Sequence, residues 1–187
     1  LAGALAAKGE KVALVERSPL MFGGTCINVA CIPTKTLEYS ARLSAAQGGN
    51  FSEKAARYKT AVEEKRLLTA ALRQKNFEKA VAAVEVIVGE ARFLDGHRIE
   101  VALAEGGREE LTGGQIYINT GARPFIPPIE GLADSRFVYT SETLMELDDL
   151  PARLVIIGGG YIGLEFASYY ANFGSAVTVV QDGEAFI

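Results

Sequence analysis

Towards the end of the chain a short hydrophobic strand runs directly into a glycine-rich turn and then a helix, and that order leaves few folds open. Leu154-Val155-Ile156-Ile157 has the make-up of a strand, Gly158-Gly159-Gly160-Tyr161-Ile162-Gly163 follows it, a helical run extends from Leu164, and Val177-Thr178-Val179-Val180 forms a second strand pattern. A G-x-G-x-x-G pattern placed between a strand and a helix fits the phosphate turn of a dinucleotide fold. Gly158 permits the tight turn, Gly160 lets backbone approach a pyrophosphate, and Gly163 lets helix and strand pack closely. The phosphate charge then meets the helix N-terminus. A glycine-rich turn that holds no nucleotide is the competing explanation, and the flanking elements argue against it. The pattern predicts an α/β, Rossmann-like, doubly wound sheet.

The start of the chain repeats the end of that unit. Residues 1–17 lie over residues 166–182 at a constant offset of 165, with Ala2 on Ala167, Ala6 on Ala171, Gly9 on Gly174, Val12 on Val177 and Val15 on Val180. Each copy reads as a helix tail, a glycine turn and a β-branched strand, the strand short and apolar enough to be buried on both faces. Subtracting the offset places a second G-x-G-x-x-G just upstream of Leu1, so the first copy is expected to lack its phosphate turn. Glu16 then stands at a strand end, where a carboxylate can accept hydrogen bonds from an adenosine ribose; a solvated charge is the alternative. The second copy has Gln181 there, which leaves the choice between NADH and NADPH open. Leu1 is not a methionine and Ile187 follows a strand pattern closely, so both ends are expected to be cut.

Between the copies, residues 51–83 are charged, alanine-rich and free of proline, which predicts one or two helices. Their charges, including Lys54, Arg57, Lys65 and Arg66, are expected to form a solvated face. Residues 84–119 alternate and carry glycine turns at Asp95-Gly96, Glu105-Gly106-Gly107 and Gly113-Gly114, as a small β-meander does. Thr120-Gly121 and Pro127-Pro128 mark a stiff crossing, and Pro151 marks a domain border.

Composition closes off other classes. Of 187 residues 49% are hydrophobic and 22% charged, which excludes disorder, and the net charge of −4 argues against a nucleic-acid footprint. The longest uncharged apolar run falls well short of the roughly 20 residues that a membrane span needs. No metal site is expected: two cysteines cannot make a four-thiolate zinc site, and His97 is a turn residue beside Asp95-Gly96.

Those two cysteines carry the chemistry. They stand in Gly23-Gly24-Thr25-Cys26-Ile27-Asn28-Val29-Ala30-Cys31-Ile32-Pro33-Thr34-Lys35, with a helical pattern continuing to about Ala46. Near a helix N-terminus the dipole favours thiolate, and Lys35 adds positive charge. In a straight helix, residues five apart are separated by about 7.5 Å of rise and about 140° of rotation. A disulfide needs Cα atoms about 4.4–6.8 Å apart, so a bridge requires an interrupted first turn. Two cysteines used as small hydrophobes are the alternative.

The run Gly-Gly-Thr-Cys-x-Asn-x-x-Cys-x-Pro-x-Lys at 23–35, the Thr120-Gly121 turn and the Gly158–Glu165 stretch together resemble the class I pyridine nucleotide-disulfide flavoprotein reductases, a family that includes dihydrolipoamide dehydrogenase, glutathione reductase and mercuric reductase. The stretch Cys31–Leu37 is most similar to the bacterial reactive-chlorine resistance flavoproteins, some described as hypothiocyanous acid reductases. The resemblance implies an FAD-binding domain over residues 1–150, lacking its first strand and phosphate turn, and the start of an NAD(P)-binding domain over 151–187. It implies that Glu16 binds the FAD ribose, that Gly24, Thr25 and Lys35 line the pyrophosphate and flavin, that Ala91 meets the adenine, and that Thr120 and Gly121 complete that cradle. Cys31 would face the flavin and Cys26 the substrate, with Glu165 approaching Lys35. Gly158, Gly160 and Gly163 would hold the NAD(P)H phosphates and Tyr161 would gate the nicotinamide. The electron path implied runs from NAD(P)H through FAD to the disulfide and on to a small oxidised substrate, in a cytoplasmic homodimer with no nucleic-acid or membrane partner.

Ala30 and Asn119 depart from the commoner glycine and alanine of the family, and its general-acid histidine has no counterpart in these residues. Two further possibilities therefore stand beside the reductase: a nucleotide-binding remnant that holds no flavin, and a thiol switch or metal-binding module using Cys26 and Cys31 alone.

Overall fold

The computed structural model describes residues 1–132 and 134–183, and residues 184–187, at the end of the expected NAD(P)-binding segment, lie outside the described residues. The chain forms two compact units, Leu1–Asn28 with Ala70–Ala122, and Val29–Thr69 with Arg123–Ile187.

The first unit is built on a four-stranded sheet in the order β1-β2-β3-β4, with β1 (Ala13–Glu16), β2 (Glu85–Phe93), β3 (Arg98–Leu103) and β4 (Arg108–Thr112). β1 is preceded by the short helix α1 (Ala2–Ala6), and β1 lies parallel to β2, with Leu14 opposite Val86 and Glu16 opposite Val88. From Gly89 onwards β2 instead pairs antiparallel with β3. One strand thus serves both the parallel layer and the expected meander, which sequence alternation alone did not distinguish. Gly89 sits at the handover because a Cβ there would stand 2.5 Å from the Ala102 carbonyl oxygen and 2.7 Å from Val101 Cγ1. Turns follow the sequence signals: the Asp95 carboxylate accepts the backbone N–H groups of His97 and Arg98 at 2.9 and 2.8 Å, and Gly106 and Gly107 take positive φ.

The second unit holds α3 (Cys31–Gln47), the first half of α4 (Phe51–Ala83), α5 (Ser141–Leu144), β5 (Arg153–Ile157), α6 (Tyr161–Phe173) and β6 (Ala176–Val180). The charged stretch is therefore one helix of 33 residues rather than two. Asn50 and Glu53 start it as a reciprocal cap, each side chain accepting the other's backbone N–H. Leu37 and Ala41 of α3, Tyr58, Ala61 and Val62 of α4, and Phe166, Tyr169, Tyr170 and Phe173 of α6 form the core. Each set recurs at three- and four-residue spacing, the stripe that an amphipathic helix buries.

α4 does not present its charges wholly to solvent as expected. Lys65 falls on the buried stripe with Tyr58, Val62 and Thr69, and its ammonium donates to the Met145 carbonyl at 2.9 Å and to the Glu146 carboxylate. Arg57 donates to Ser44 Oγ at 2.9 Å. Burial pushes the Lys65 ammonium below the usual lysine range, and the Glu146 carboxylate opposes that shift.

β5 and β6 pair in parallel, with Leu154 opposite Val177. α6 covers the face carrying Leu154, Ile156 and Val177. Val155, Ile157 and Val180 lie on the other face, which no described residue covers. The internal repeat has a backbone basis, since Gly9 and Gly174 follow their helices with φ of 88° and 105°.

The buried tyrosines differ in their satisfaction. Tyr58 bonds the Leu147 carbonyl at 3.2 Å and the Tyr170 hydroxyl at 3.1 Å, while the buried Tyr169 hydroxyl has no partner among the described residues. Tyr58→Phe should therefore cost about 1–2 kcal/mol in urea unfolding, and Tyr169→Phe less than about 0.5 kcal/mol. A larger loss for Tyr169→Phe would contradict this packing.

Candidate functional site

Site residues of the first unit gather where the chain leaves β1. The Glu16 carboxylate accepts the Ser18 backbone N–H at 3.0 Å, which turns the chain off the strand end. Ala91 lies on the neighbouring strand β2, opposite Val101 of β3. Beyond Glu16, Gly23 and Gly24 take φ of 92° and 78° in succession. A side chain at Gly23 would stand 2.7 Å from Ile27 Cδ1, whereas the space at Gly24 is open and only its backbone conformation demands glycine.

The single turn α2 (Thr25–Asn28) then carries exposed Thr25 and Cys26. Its last residue, Asn28, is buried, and its amide nitrogen donates to the Gly24 and Phe22 carbonyls at 2.8 and 3.1 Å. Its amide oxygen accepts from Arg73 Nε at 2.8 Å. The Thr120-Gly121 turn comes beside this segment: Gly121 has φ of 73°, and a Cβ there would lie 3.7 Å from Thr25 Oγ1.

In the second unit α3 starts at Cys31, which is exposed. Ala30, at φ −139° and ψ −103°, interrupts the helical path, so α2 does not run on into α3. The first turn of α3 is pinned by Thr34, whose N–H and hydroxyl both donate to the Ala30 carbonyl, at 3.0 and 2.6 Å. The division between units falls at Asn28–Val29, so Cys26 belongs to the first and Cys31 to the second.

One turn along α3, Lys35 forms an ion pair with Glu165 of α6. Its partner holds the Lys35 ammonium above its ordinary value, through a hydrogen bond first and charge second.

The glycine turn before α6 has the anatomy its sequence predicts. Gly158, at φ 107°, donates to the Val180 carbonyl at 2.8 Å. Gly160 caps α6, and exposed Tyr161 is the first helical residue. A Cβ on Gly163 would sit 2.2 Å from the Gly158 carbonyl oxygen and 3.3 Å from Ile156 Cγ2, so the helix reaches the strand only because Gly163 has none. Gln181 adds a contact that the sequence gave no sign of, its amide oxygen accepting the Gly159 N–H at 2.7 Å. That bond braces the turn against the end of β6.

A family model described as pyridine nucleotide-disulphide oxidoreductase matches residues 1–187. The chain belongs to this family. It is 43% identical over 189 residues to the probable pyridine nucleotide-disulfide oxidoreductase RclA of Escherichia coli, covering 100% of this chain and 40% of that protein. It is 39% identical to a mercuric reductase of Streptomyces lividans, over 95% of this chain and 39% of that one. A solved structure described as the Cu(II) complex of HOCl-induced flavoprotein disulfide reductase RclA from Escherichia coli superimposes with a TM-score of 0.90 at 42% identity, covering 100% of this chain and 40% of that one. The chain thus spans about 40% of the length of these relatives. It has the family's Rossmann-like fold, with a mixed sheet and inserted helices. Among the described residues no helix is long and apolar enough to cross a membrane.

Among the expected site residues, the structure brings Lys35 to Glu165, Gly121 to Thr25 and Gly163 to Gly158. Asn28 stood inside the Gly23–Lys35 run without a role, Arg73 lay in a charged helical segment, and Gln181 was placed at the coenzyme's strand end with no sign of its bond to Gly159.

Two outcomes follow from this geometry. Gly163→Ala should lower stability by about 1–3 kcal/mol in thermal unfolding, because backbone must move to admit the methyl group; an unchanged melting temperature would contradict the close approach. Glu165→Gln should return the Lys35 titration, followed by NMR at its side-chain carbon, towards its ordinary value of 10.5. The raised folded value means that the pair's contribution is present below the unfolded pKa and lost as pH rises through the folded one. An unchanged titration would mean that the pair does not form in solution.

Proposed function

We propose that this chain supplies the dithiol, part of the flavin site and the first coenzyme-binding turn of an FAD-dependent NAD(P)H:disulfide reductase. Residues 1–150 belong to the flavin-binding domain in this assignment, and residues 151–187 open the NAD(P)-binding domain. The observation that carries it is the Gly23–Lys35 run itself: two exposed cysteines, one following a doubly positive-φ glycine loop and one opening a helix, with an ion-paired lysine a turn further on.

The residues fit the cofactors. Open space at Gly24 and the Gly121 turn beside Thr25 leave backbone accessible to a pyrophosphate or flavin. At the second site Gly158 is open, Gly160 caps α6, and the helix N-terminus faces the turn, which suits a dinucleotide phosphate. Glu16 at its strand end and Ala91 on β2 serve the adenosine end of FAD. Bound FAD supplies the two-electron step between a hydride donor and a disulfide.

Cys31 would face the flavin and Cys26 the substrate. Two electrons and two protons open the Cys26–Cys31 bond to two thiols, and these reduce an oxidised substrate by exchange while their own bond re-forms. Lys35, held by Glu165, keeps a positive charge on the helix that presents Cys31, and Tyr161, exposed at the start of α6, would gate the nicotinamide. Gln181 carries no charge to repel a 2′-phosphate and its oxygen is engaged by Gly159, while the Asp182 carboxylate follows directly, so discrimination between NADH and NADPH is imperfect. RclA is described as HOCl-induced and as a Cu(II) complex, and mercuric reductase is named for mercury; we assign the acceptor to oxidised small molecules or thiophilic metal ions. The working form is a cytoplasmic homodimer.

The test is the visible spectrum of the full native protein, before and after anaerobic NADPH. A flavin spectrum should change on NADPH addition to that of a thiolate lying against oxidised flavin, and Cys31→Ser should remove that long-wavelength band. A colourless protein, or a band that survives in Cys31→Ser, would overturn the assignment.

A further inference from the structure

The loop that carries Cys26 has an unusual need for support. Two consecutive glycines at positive φ precede it, and such a loop has more conformations to lose than any other dipeptide. Its support comes from the second half of α4, more than forty residues away in sequence. Arg73, Asn76 and Phe77 stand at positions i, i+3 and i+4 of that helix, on one face. The Phe77 ring packs on buried Phe22 with centroids 4.9 Å apart, and the Asn76 amide stands 3.2 Å from where a Gly23 side chain would begin. Arg73 Nε donates to Asn28 Oδ1.

The last contact does more than pack. An asparagine amide can be turned end for end, exchanging acceptor for donor, and only one orientation serves this loop. Asn28 must direct its NH2 group at the Phe22 and Gly24 carbonyls, since an oxygen there would face two oxygens. A guanidinium has donors only, so Arg73 accepts no orientation of the amide but the one that presents Oδ1 to it. The bond is charge-assisted and half-buried, which makes it stronger than a neutral pair.

We propose that Arg73 is a positioning residue for Cys26, acting through the Asn28 amide to hold the Phe22–Cys26 loop in the conformation that presents the thiol. The role in turnover rests on the reductase reading; the effect on thiol reactivity does not. Cys26 is already exposed in the clamped loop, so loosening gains little access and instead populates conformations in which the thiol is turned away.

The experiment is alkylation of the reduced full native protein by iodoacetamide, with the rates at Cys26 and Cys31 resolved by peptide mass spectrometry and Cys31 as internal reference. Arg73→Met keeps the aliphatic stem and removes the donors; it should slow Cys26 relative to Cys31 at least about threefold. Arg73→Lys, again a pure donor, should restore at least half of that loss. Asn28→Ala should slow Cys26 similarly, and the double variant should be no slower than the slower single one, because both act through one bond. A Cys26-to-Cys31 ratio unchanged in Arg73→Met, even with a lowered melting temperature, would reduce Arg73 to a structural residue and overturn the proposal. Multiplicative effects in the double variant would overturn it equally. If Arg73→Met does not fold, the Arg73→Lys and Asn28→Ala rates decide, since an Asn28→Ala ratio equal to wild type removes the relay. Each ratio is compared between variants in the same reduced state and needs no turnover, so the result stands apart from the spectral test of function.

Discussion

Packing of α3 against α6 is the contact on which the chemistry of the second unit depends. Leu37 and Ala41 meet Phe166, Tyr169, Tyr170 and Phe173 in one buried cluster, with Tyr58 edge-on to Phe173 at 5.2 Å. Large rings packed at this density resist sliding, because any shift opens a void or forces a clash. Lys35 lies two residues before Leu37, and Glu165 immediately precedes Phe166. Their ion pair is therefore fixed by the core beneath it rather than by its own surface-screened attraction. The same packing sets the start of α3, where Cys31 stands and Thr34 pins the first turn.

Glycine does different work at each place where backbone must come close to something else. At Gly163 the neighbour is the chain's own carbonyl, and the absent Cβ lets helix and strand touch. At Gly89 it is the next strand, and its approach lets one strand pass from a parallel to an antiparallel partner. At Gly24 and Gly158 nothing stands within 4 Å of where a Cβ would be, and only the positive φ calls for glycine. The first pair are needs of packing and the second pair needs of backbone conformation.

Local relationships were legible in the sequence. The glycine turn with its flanking strand and helix, the meander turns, and the two cysteines with Lys35 all depend on residues within a few positions of each other, and periodicity and turn chemistry report those directly. The interruption at Ala30 is what this spacing requires of a Cys26–Cys31 bridge. What escaped were contacts across long sequence separations. Lys65 sits among charges that look solvated, and only the arrival of Met145 and Glu146 makes its burial tolerable. Arg73 looks like any surface arginine until Asn28 reaches it, and Gln181 looks like a ribose contact until Gly159 turns its N–H towards it.

In the proposed reductase the electrons of NADPH come to rest on the dithiol. The most direct measurement is a count of thiols in the full native protein after one equivalent of anaerobic NADPH, quenched in denaturant and located by alkylation and peptide mass spectrometry. The account predicts two new thiols, at Cys26 and Cys31, with the flavin returned to its oxidised state. A flavin that stays reduced while the thiol count does not change would contradict it.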